Sequence, residues 1–329
     1  VSLPKGKLSL AKLEQLVFRH LPRVTDTRKI ALDFSVTPGP NQLVAASDPV
    51  IGIPLVYYGF FAVHYSAADV AMAGAIPQYL MLGVYYPPGT PESWLEATMQ
   101  QLGEEARQLK IKILGGHTGG YDGLTLPLLS TTCLGFLPQE YKPPERVKAG
   151  DALIAVGPIG RETLWFLANI EPSQIEEALT RSEVKGLALD LSYFKVAPFI
   201  AKLSRQNIKM MHDLAEGGLA TGLAELQKAT GLGITIQYDK IPWDNCAIRI
   251  FSRLKLNLLH CSSFGSILCV TTSNTAVQTV EKLHSLGRPA AIIGYFAEKQ
   301  DIFIQREDKR TPLKLGKDPY QKFTSRVRY

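Results

Sequence analysis

Residues 47–77 read SDPVIGIPLVYYGFFAVHYSAADVAMAGAIP, and the only carboxylates in that stretch are Asp48 and Asp69. No lysine or arginine occurs from Ile30 to Ala106, although the chain carries 36 of them. Between Lys29 and Glu92 the charges are three aspartates: Asp33, Asp48 and Asp69. An ionised carboxylate buried without a partner is costly, so such groups end up paired, metal-bound or neutralised. If the three converge, a divalent cation is the natural partner. A metal–phosphate site is therefore the first functional expectation.

The stretch from Pro49 to Ala68 has no charge and is long enough to span a bilayer. It holds Pro49, Gly52, Pro54, Gly59 and His64, and aspartates rather than lysines flank it. A buried strand, a turn and a buried helix suit this pattern better than a membrane span does. Pro49 disfavours helix at Asp48, so a strand over Leu43–Ser47 is expected to end at Ser47-Asp48-Pro49. Ser66–Ala75 reads as a helix of small residues that packs closely on a sheet. His64 reads as a satisfied core histidine rather than a ligand.

The rest of the chain alternates strand and helix signals. Ser9 opens an amphipathic helix carrying Leu10, Leu13, Leu16 and Val17. Thr90-Pro91-Glu92 starts another that runs to about Lys110, with Pro at its first position and acids in its first turn. Ile111–Leu114 reads as a strand leading into a glycine loop at 115–120, and Leu124–Phe136 as a further strand. Prolines and charges at 138–147 mark a linker. Beyond it come strands at Ala152–Val156, Ile234–Tyr238, Ser266–Val270 and Ala290–Ile293. Helices fall around Leu219–Leu226, stopped near Gly231, and at about 274–286. The fold class is thus α/β (α+β), with two unequal halves. The expected units are 1–137, the linker 138–147, 148–298, and a basic tail at 299–329.

The 329 residues suffice for two domains with a sizeable core. Four cysteines without CxxC spacing point to buried free thiols in a reducing compartment. The N-terminus is a mixed, charged helix pattern rather than a secretion signal, so a cytoplasmic protein is expected. The net charge is +6. Its excess lies in the last stretch (Lys299, Arg306, Lys309, Arg310, Lys314, Lys317, Lys322, Arg326, Arg328), which reads as a solvated or partner-facing end. Nucleic acid is not the expected partner.

Singly the motifs are weak. An aspartate at a strand end often only caps a turn. Gly115-Gly116-His117-Thr118-Gly119-Gly120 would let backbone N–H groups approach phosphate, yet it matches neither a Walker P-loop nor GxGxxG. His212-Asp213 precedes the Gly217-Gly218 turn, and helix N-terminal amides there would hold an anion. Asp213 and Glu216 each read either as a general base or as a cap of that helix, with the base favoured for Asp213 and the cap for Glu216.

In order, Ser47-Asp48-Pro49, AlaAlaAspValAlaMetAlaGlyAlaIlePro (67–77), GlyGlyHisThr (115–118) and MetHisAspLeuAlaGluGlyGlyLeuAla (211–220) resemble the aminoimidazole-ribonucleotide (AIR) synthetase superfamily. The superfamily includes the hydrogenase maturation factor HypE, thiamine-monophosphate kinase and selenide water dikinase. The likeness is greatest to HypE-like AIR synthase-related proteins. It implies an N-terminal domain that forms a homodimer through its sheet, a C-terminal α/β domain, and ATP with Mg2+ in a groove lined by the first. By that resemblance Asp33, Asp48 and Asp69 hold metal, while Lys7, Asp48, Asp69, Gly115, Gly116, His117 and Thr118 line the nucleotide. Asp213 and Lys7 fall at catalytic positions. For Lys7, a residue covering the phosphates and a solvated terminal lysine both stand as readings.

The departures are specific. LeuAspPheSerVal at 32–36 replaces the family's GlyAspAspAlaAla, Ala68 replaces an asparagine, and His117 replaces a metal-binding aspartate. Hard cations prefer oxygen, so each change removes metal-binding capacity. The chain ends without HypE's terminal cysteine. The expected function is Mg2+-dependent transfer of the ATP γ-phosphoryl to an oxygen of a small-molecule substrate. The alternatives are a binding or accessory protein with a protein partner, and a thiamine-monophosphate-kinase-like enzyme.

Overall fold

The structure, a computed structural model, describes residues 10–16, 34–37, 41–138, 146–203 and 207–324. Ser9, Lys7, Asp33 and most of the expected linker lie outside them.

Helix α1 (Leu10–Leu16) is followed by β1 (Ser35–Val36), β2 (Leu43–Val50), α2 (Tyr58–Ala73), β3 (Ile76–Tyr86), α3 (Glu92–Gln108), β4 (Lys112–Gly120) and β5 (Leu128–Phe136). The strands form one sheet in the order β1-β2-β5-β3-β4, antiparallel except for the β3–β4 pair. Next come β6 (Ala152–Val156), α4 (Arg161–Ile170), α5 (Pro172–Ile175), α6 (Arg181–Leu189), α7 (Val196–Ile200), β7 (Ile208–Asp213) and α8 (Gly218–Thr230). The chain continues with β8 (Gly233–Gln237), α9 (Asn245–Arg253), β9 (Ile267–Thr271), α10 (Ser273–Ser285), β10 (Ala290–Ala297), β11 (Ile302–Arg306), β12 (Lys309–Pro312) and α11 (Gln321–Thr324). A second sheet runs β12-β11-β8-β10-β6-β9-β7. The result is a mixed α/β fold of two sheet units, as expected.

Helix α2 differs from the expected Ser66–Ala75. It begins eight positions earlier, and all but one of its described residues are buried. A helix apolar on every side shows no amphipathic period, and that hid its start. It is walled in by β2 and β5 on one side, by α3 on another, and by α7 and β7 of the second unit. At Gly59 a Cβ would lie 2.3 Å from the Thr98 carbonyl oxygen, so glycine sets how closely α2 meets α3.

The expected glycine loop at 115–120 is strand, which corrects the sequence reading. Gly115–Gly120 pairs in parallel with Met81–Tyr86 as the sheet's exposed edge. A Cβ on Gly116 would sit 1.9 Å from the Leu82 carbonyl oxygen, so this approach of two backbones needs glycine. β2 also continues through Asp48 to Val50, pairing Asp48 with Thr131.

The segment beyond Ala297 is not a solvated tail. Ile302–Arg306 and Lys309–Pro312 are strands of the second sheet, and Asp318, Tyr320 and Phe323 are buried. Its basic residues have structural uses. The Arg306 guanidinium stacks over Tyr238 at 3.5 Å and Arg310 over Phe303 at 3.9 Å. Lys309 and Arg310 lie on the outer strand, where charge discourages edge-to-edge association.

The two units share one core. Phe61 and Tyr65 of α2 pack against Trp165, Phe194 and Phe264 of the second unit, with ring centroids 4.7 to 6.3 Å apart. No helix among the described residues is long and apolar enough to cross a membrane. All four cysteines are free thiols, and Cys133, Cys261 and Cys269 are buried. Burial pushes the Cys133 thiol up to about 12, so it is unreactive.

Candidate functional site between the two units

Side chains alternate across the first sheet, and this places the candidates. Val44, Ala46 and Val50 of β2 are buried under α2, so Asp48 shares the helix side with them. Tyr65 and Asp69 are one turn apart on α2 and therefore share a face. Asp69 is buried, with 6% exposure, and Tyr65 is half-buried. Burial drives the Tyr65 hydroxyl well above its ordinary range, and Glu162, Asp48 and Glu216 add to the effect. A single hydroxyl is thus near carboxylates of both units, Asp48 of the first and Glu162 and Glu216 of the second, at the boundary between them.

The second unit forms the opposite wall. β7 delivers His212-Asp213, both buried, against α2. His212 Nε2 lies 2.8 Å from Glu225 Oε2 on α8, and its Nδ1 lies 3.8 Å from Asp213 Oδ1. Gly217 and Gly218 turn the chain into α8 with φ of +80° and +57°. A Cβ on Gly218 would meet the Cys261 carbonyl oxygen at 2.2 Å, which lets the loop 261–266 lie against this helix start. That loop is tied on every side. Ser263 Oγ accepts the Gly160 N–H, Ser266 Oγ donates to the Pro158 carbonyl, and Glu162 accepts the Phe264 N–H at 2.7 Å.

Glu162, in the first turn of α4, is buried. Burial raises its pKa to about 8; the Phe264 N–H pulls the other way, and Asp318, Asp213 and Glu216 push it further up. It therefore holds a proton at neutral pH. Asp318 also faces this corner, where its carboxylate accepts from Gly217 N–H and from Ser262 Oγ. Tyr320, two residues on, stacks on Phe166 with centroids 4.3 Å apart.

Asp48 lies on the α2 side of β2, Asp69 is on α2 itself, and Asp213 ends β7, which packs on α2. His117 is not on that side of the first sheet. His117 aligns with Gly83, Ser130 and Pro49, the row adjacent to Asp48, and adjacent rows point to opposite faces. Its imidazole instead meets the Tyr121 hydroxyl at 2.8 Å and stacks near Tyr85. Gly116 and Thr118 fall in the helix-side rows, while Gly115 shares the outward row of Met81. Glu162, Ser262, Asp318 and Tyr320 were not among the sequence candidates. One signal was available for the tail: Asp318-Pro319 repeats the Asp48-Pro49 signature, and Leu313, Tyr320 and Phe323 interrupt a basic run.

Mg2+ is the cation the fold family implies. Among the described residues no three histidine, cysteine or acidic side chains come close enough to hold a metal ion. Asp48 and Asp69 supply two hard oxygen donors from adjacent elements. Such a set fits a magnesium ion carried in on phosphate oxygens rather than a closed protein cage.

Residues 36–137 match the family described as AIR synthase related protein, N-terminal domain, and residues 148–307 match the AIR synthase related protein, C-terminal domain. The chain belongs to this AIR synthase related family. It is 27% identical over 308 residues to the carbamoyl dehydratase HypE of Azotobacter vinelandii, covering 90% of this chain and 86% of that protein. A solved HypE in complex with HypF has the same fold, with a TM-score of 0.74, 19% identity, and 92% and 99% of the two chains covered. A HypE crystallised with ATP gives 0.70 at 20% identity, covering 96% and 97%. The chain is thus a HypE-like AIR synthase-related protein.

Proposed function

We propose that the chain is a Mg2+-dependent ATP-binding enzyme that transfers the γ-phosphoryl to an oxygen of a small substrate. The observation that carries this reading is the groove itself, with Asp48 and Asp69 on one wall and Asp213 on the other. No lysine or arginine lies on its first-unit wall from Asp48 to Asp69, and the second unit adds Asp213, Glu216 and Asp318 beside the protonated Glu162. A triphosphate enters such a groove only with its cation, which neutralises charge on both partners. Asp48 and Asp69 would hold that ion against the phosphates. Asp213 would take the proton of the attacking oxygen. Lys7 and Asp33 keep their proposed roles over the phosphates and beside the metal. The ATP complex of the similar HypE supports the nucleotide.

Calorimetry of ATP with Mg2+ tests this directly, and no heat at millimolar ATP sinks it. Asp48→Asn is expected to abolish metal-dependent binding. The placement of His117 on the other sheet face favours a second reading, in which nucleotide binds with little turnover and the chain serves a protein partner. Rapid hydrolysis that Asp48→Asn removes would exclude it.

We also propose 1–137 as the nucleotide-binding and dimerising unit, a second domain that starts at 148 and runs past the expected 298 to include β11 and β12, and a cytoplasmic homodimer. Met81, Ile113 and Phe136 are exposed around the first sheet and its glycine edge, a surface that suits a second copy. Light scattering at micromolar concentration should return twice the 36.2 kDa chain mass.

A further inference from the structure

A cavity of about 1140 Å3 opens at the seam between the two units. Loops 54–56, 87–91 and 124–125 of the first unit form most of its wall, with Trp94 of α3, and residues 169–170 at the end of α4 close it from the second. None of Asp48, Asp69 and Asp213 lines it. It lies at the N-terminal end of α2, whereas Asp69 stands eleven positions beyond Tyr58, about 16 Å further along the helix axis. Small-ligand sites occupy about 300–1,000 Å3 and favour the boundaries between domains, so both the size and the place suit one.

The charge around this cavity has one sign. Every residue of its wall falls in one of three runs without lysine or arginine, 30–106, 113–141 and 162–180. Acids flank the wall instead: Glu92 follows Pro91, Asp122 precedes the 124–125 loop, and Glu171 follows Ile170. Glu92 and Asp122 are exposed. Helix α4 ends here with no basic residue in its last turn, so its negative pole adds to theirs. The start of α3 brings a positive pole, which Glu92 in its first turn offsets. The wall is also poor in donors, since four of its residues are prolines and have no N–H. Asn169 Nδ2 is committed to the Trp165 and Ala188 carbonyls at 2.9 and 3.2 Å, so what it can offer a ligand is Oδ1, an acceptor. Thr90 Oγ1 donates to the Pro87 carbonyl at 2.7 Å and keeps its lone pairs. The Trp94 indole N–H is turned to the Leu55 carbonyl at 3.4 Å. Acceptors, apolar surface and the ring of Trp94 remain, and tryptophan is the side chain whose face attracts a cation most strongly.

We propose that this cavity binds a small organic cation, an apolar body with an ammonium head, seated against Trp94 among the flanking acids. The same charges repel an anion, and an uncharged molecule of equal shape forgoes their attraction. Because the wall belongs to both units, the ligand bridges them at the end of α2 away from Asp69. The inference goes beyond the proposed nucleotide site and does not depend on it.

The test is NMR on the full chain with isotope-labelled tryptophan, whose three indole N–H groups give separate signals. Trp94→Phe identifies the Trp94 signal by its loss. Benzyltrimethylammonium is the probe, with its uncharged isostere neopentylbenzene and the anion benzenesulfonate beside it. The cation should shift the Trp94 signal saturably in the millimolar range and leave that of Trp243 in place. The isostere should bind about tenfold more weakly, as a partly desolvated cation–π contact implies, and the anion not at all. No saturable shift at Trp94, or equal affinity for the isostere, overturns the proposal. Glu92→Gln combined with Asp122→Asn, both at exposed positions, should weaken the cation about threefold and leave the isostere unchanged. A cation indifferent to that pair counts against the site. Val56 is 72% exposed, so Val56→Trp should fold normally and obstruct the cavity; undiminished binding is the opposing result. A peptide of alternating lysine and leucine that shifts Trp94 where the small cation fails would put a partner segment there and overturn the small ligand. Titrating ATP with Mg2+ on the same proteins keeps the two readings apart. Failure of ATP beside a bound cation defeats the proposed nucleotide alone, and ATP binding without the cation defeats this site alone.

Discussion

Glu162 shows how one side chain reports on the whole groove. Its acid form is held by burial, and by the charges of Asp318, Asp213 and Glu216, up to about pH 8. The ordinary value is 4.5. Between those limits the folded chain keeps a proton that the unfolded chain releases. The folded state therefore binds more protons, and stability falls as pH rises through this window. Glu162→Gln mimics the protonated form at every pH. The variant should lose the decline, with a melting temperature close to wild type in acid and higher at alkaline pH. Melting curves across that range check it, and parallel curves for the two proteins would refute it. Removing the Asp318 charge takes away one of the raising influences, so Asp318→Asn should shift the wild-type decline to lower pH. Nothing local in GlyArgGluThr at 160–163 announces this role, since an acid in a first helical turn is ordinary.

Elements were legible where local chemistry decided them and illegible where packing did. α3 follows Thr90-Pro91-Glu92 as expected, because Pro and an acid at a helix start act locally. α2 escaped because every face of it is covered, so its hydrophobicity carries no period. β4 escaped because its glycines look like a loop until β3 supplies a parallel partner. The motif order from Asp48 to Ala220 did carry the family, and Asp48, Asp69 and Asp213 fall on β2, α2 and β7, where β2 and β7 both pack on α2. His117 was misplaced, because the side of a sheet a residue takes depends on register, which one strand alone does not reveal. Gly59 gives the element-scale prediction. A methyl there meets backbone at 2.3 Å from the Thr98 oxygen and 2.8 Å from the Leu102 nitrogen. Backbone cannot swing aside as a side chain would, so Gly59→Ala should cost about 1–3 kcal/mol or more in urea unfolding. A neutral effect would mean that α2 and α3 are not packed as described.

At the scale of the molecule, the docking of Asp318 on Gly217 and the interface were least visible, since both join residues about a hundred positions apart. The units are nonetheless coupled by more than aromatic packing. Glu105 on α3 sits 2.9 Å from His64 Nε2 on α2 and accepts from Lys195 Nζ, just before α7, at 2.9 and 3.2 Å. Burial raises the Glu105 pKa, but the bonds from His64 and Lys195 outweigh it and hold the carboxyl below its usual range. Burial lowers the His64 pKa against the pull of Glu105. The signs agree. As pH falls, the unfolded chain takes up the His64 proton first, from about 6.5, and the Glu105 proton next, from about 4.5. In both cases the unfolded state binds more protons, so stability is present at neutral pH and drains away towards acid. Glu105→Gln keeps an oxygen for His64 but leaves Lys195 without its ion pair. It should cost about 1–3 kcal/mol at neutral pH and flatten the acid loss. Because one core serves both units, the variant should still unfold in a single step. Two separated urea transitions, or an acid profile unchanged from wild type, would show that this cluster does not join them.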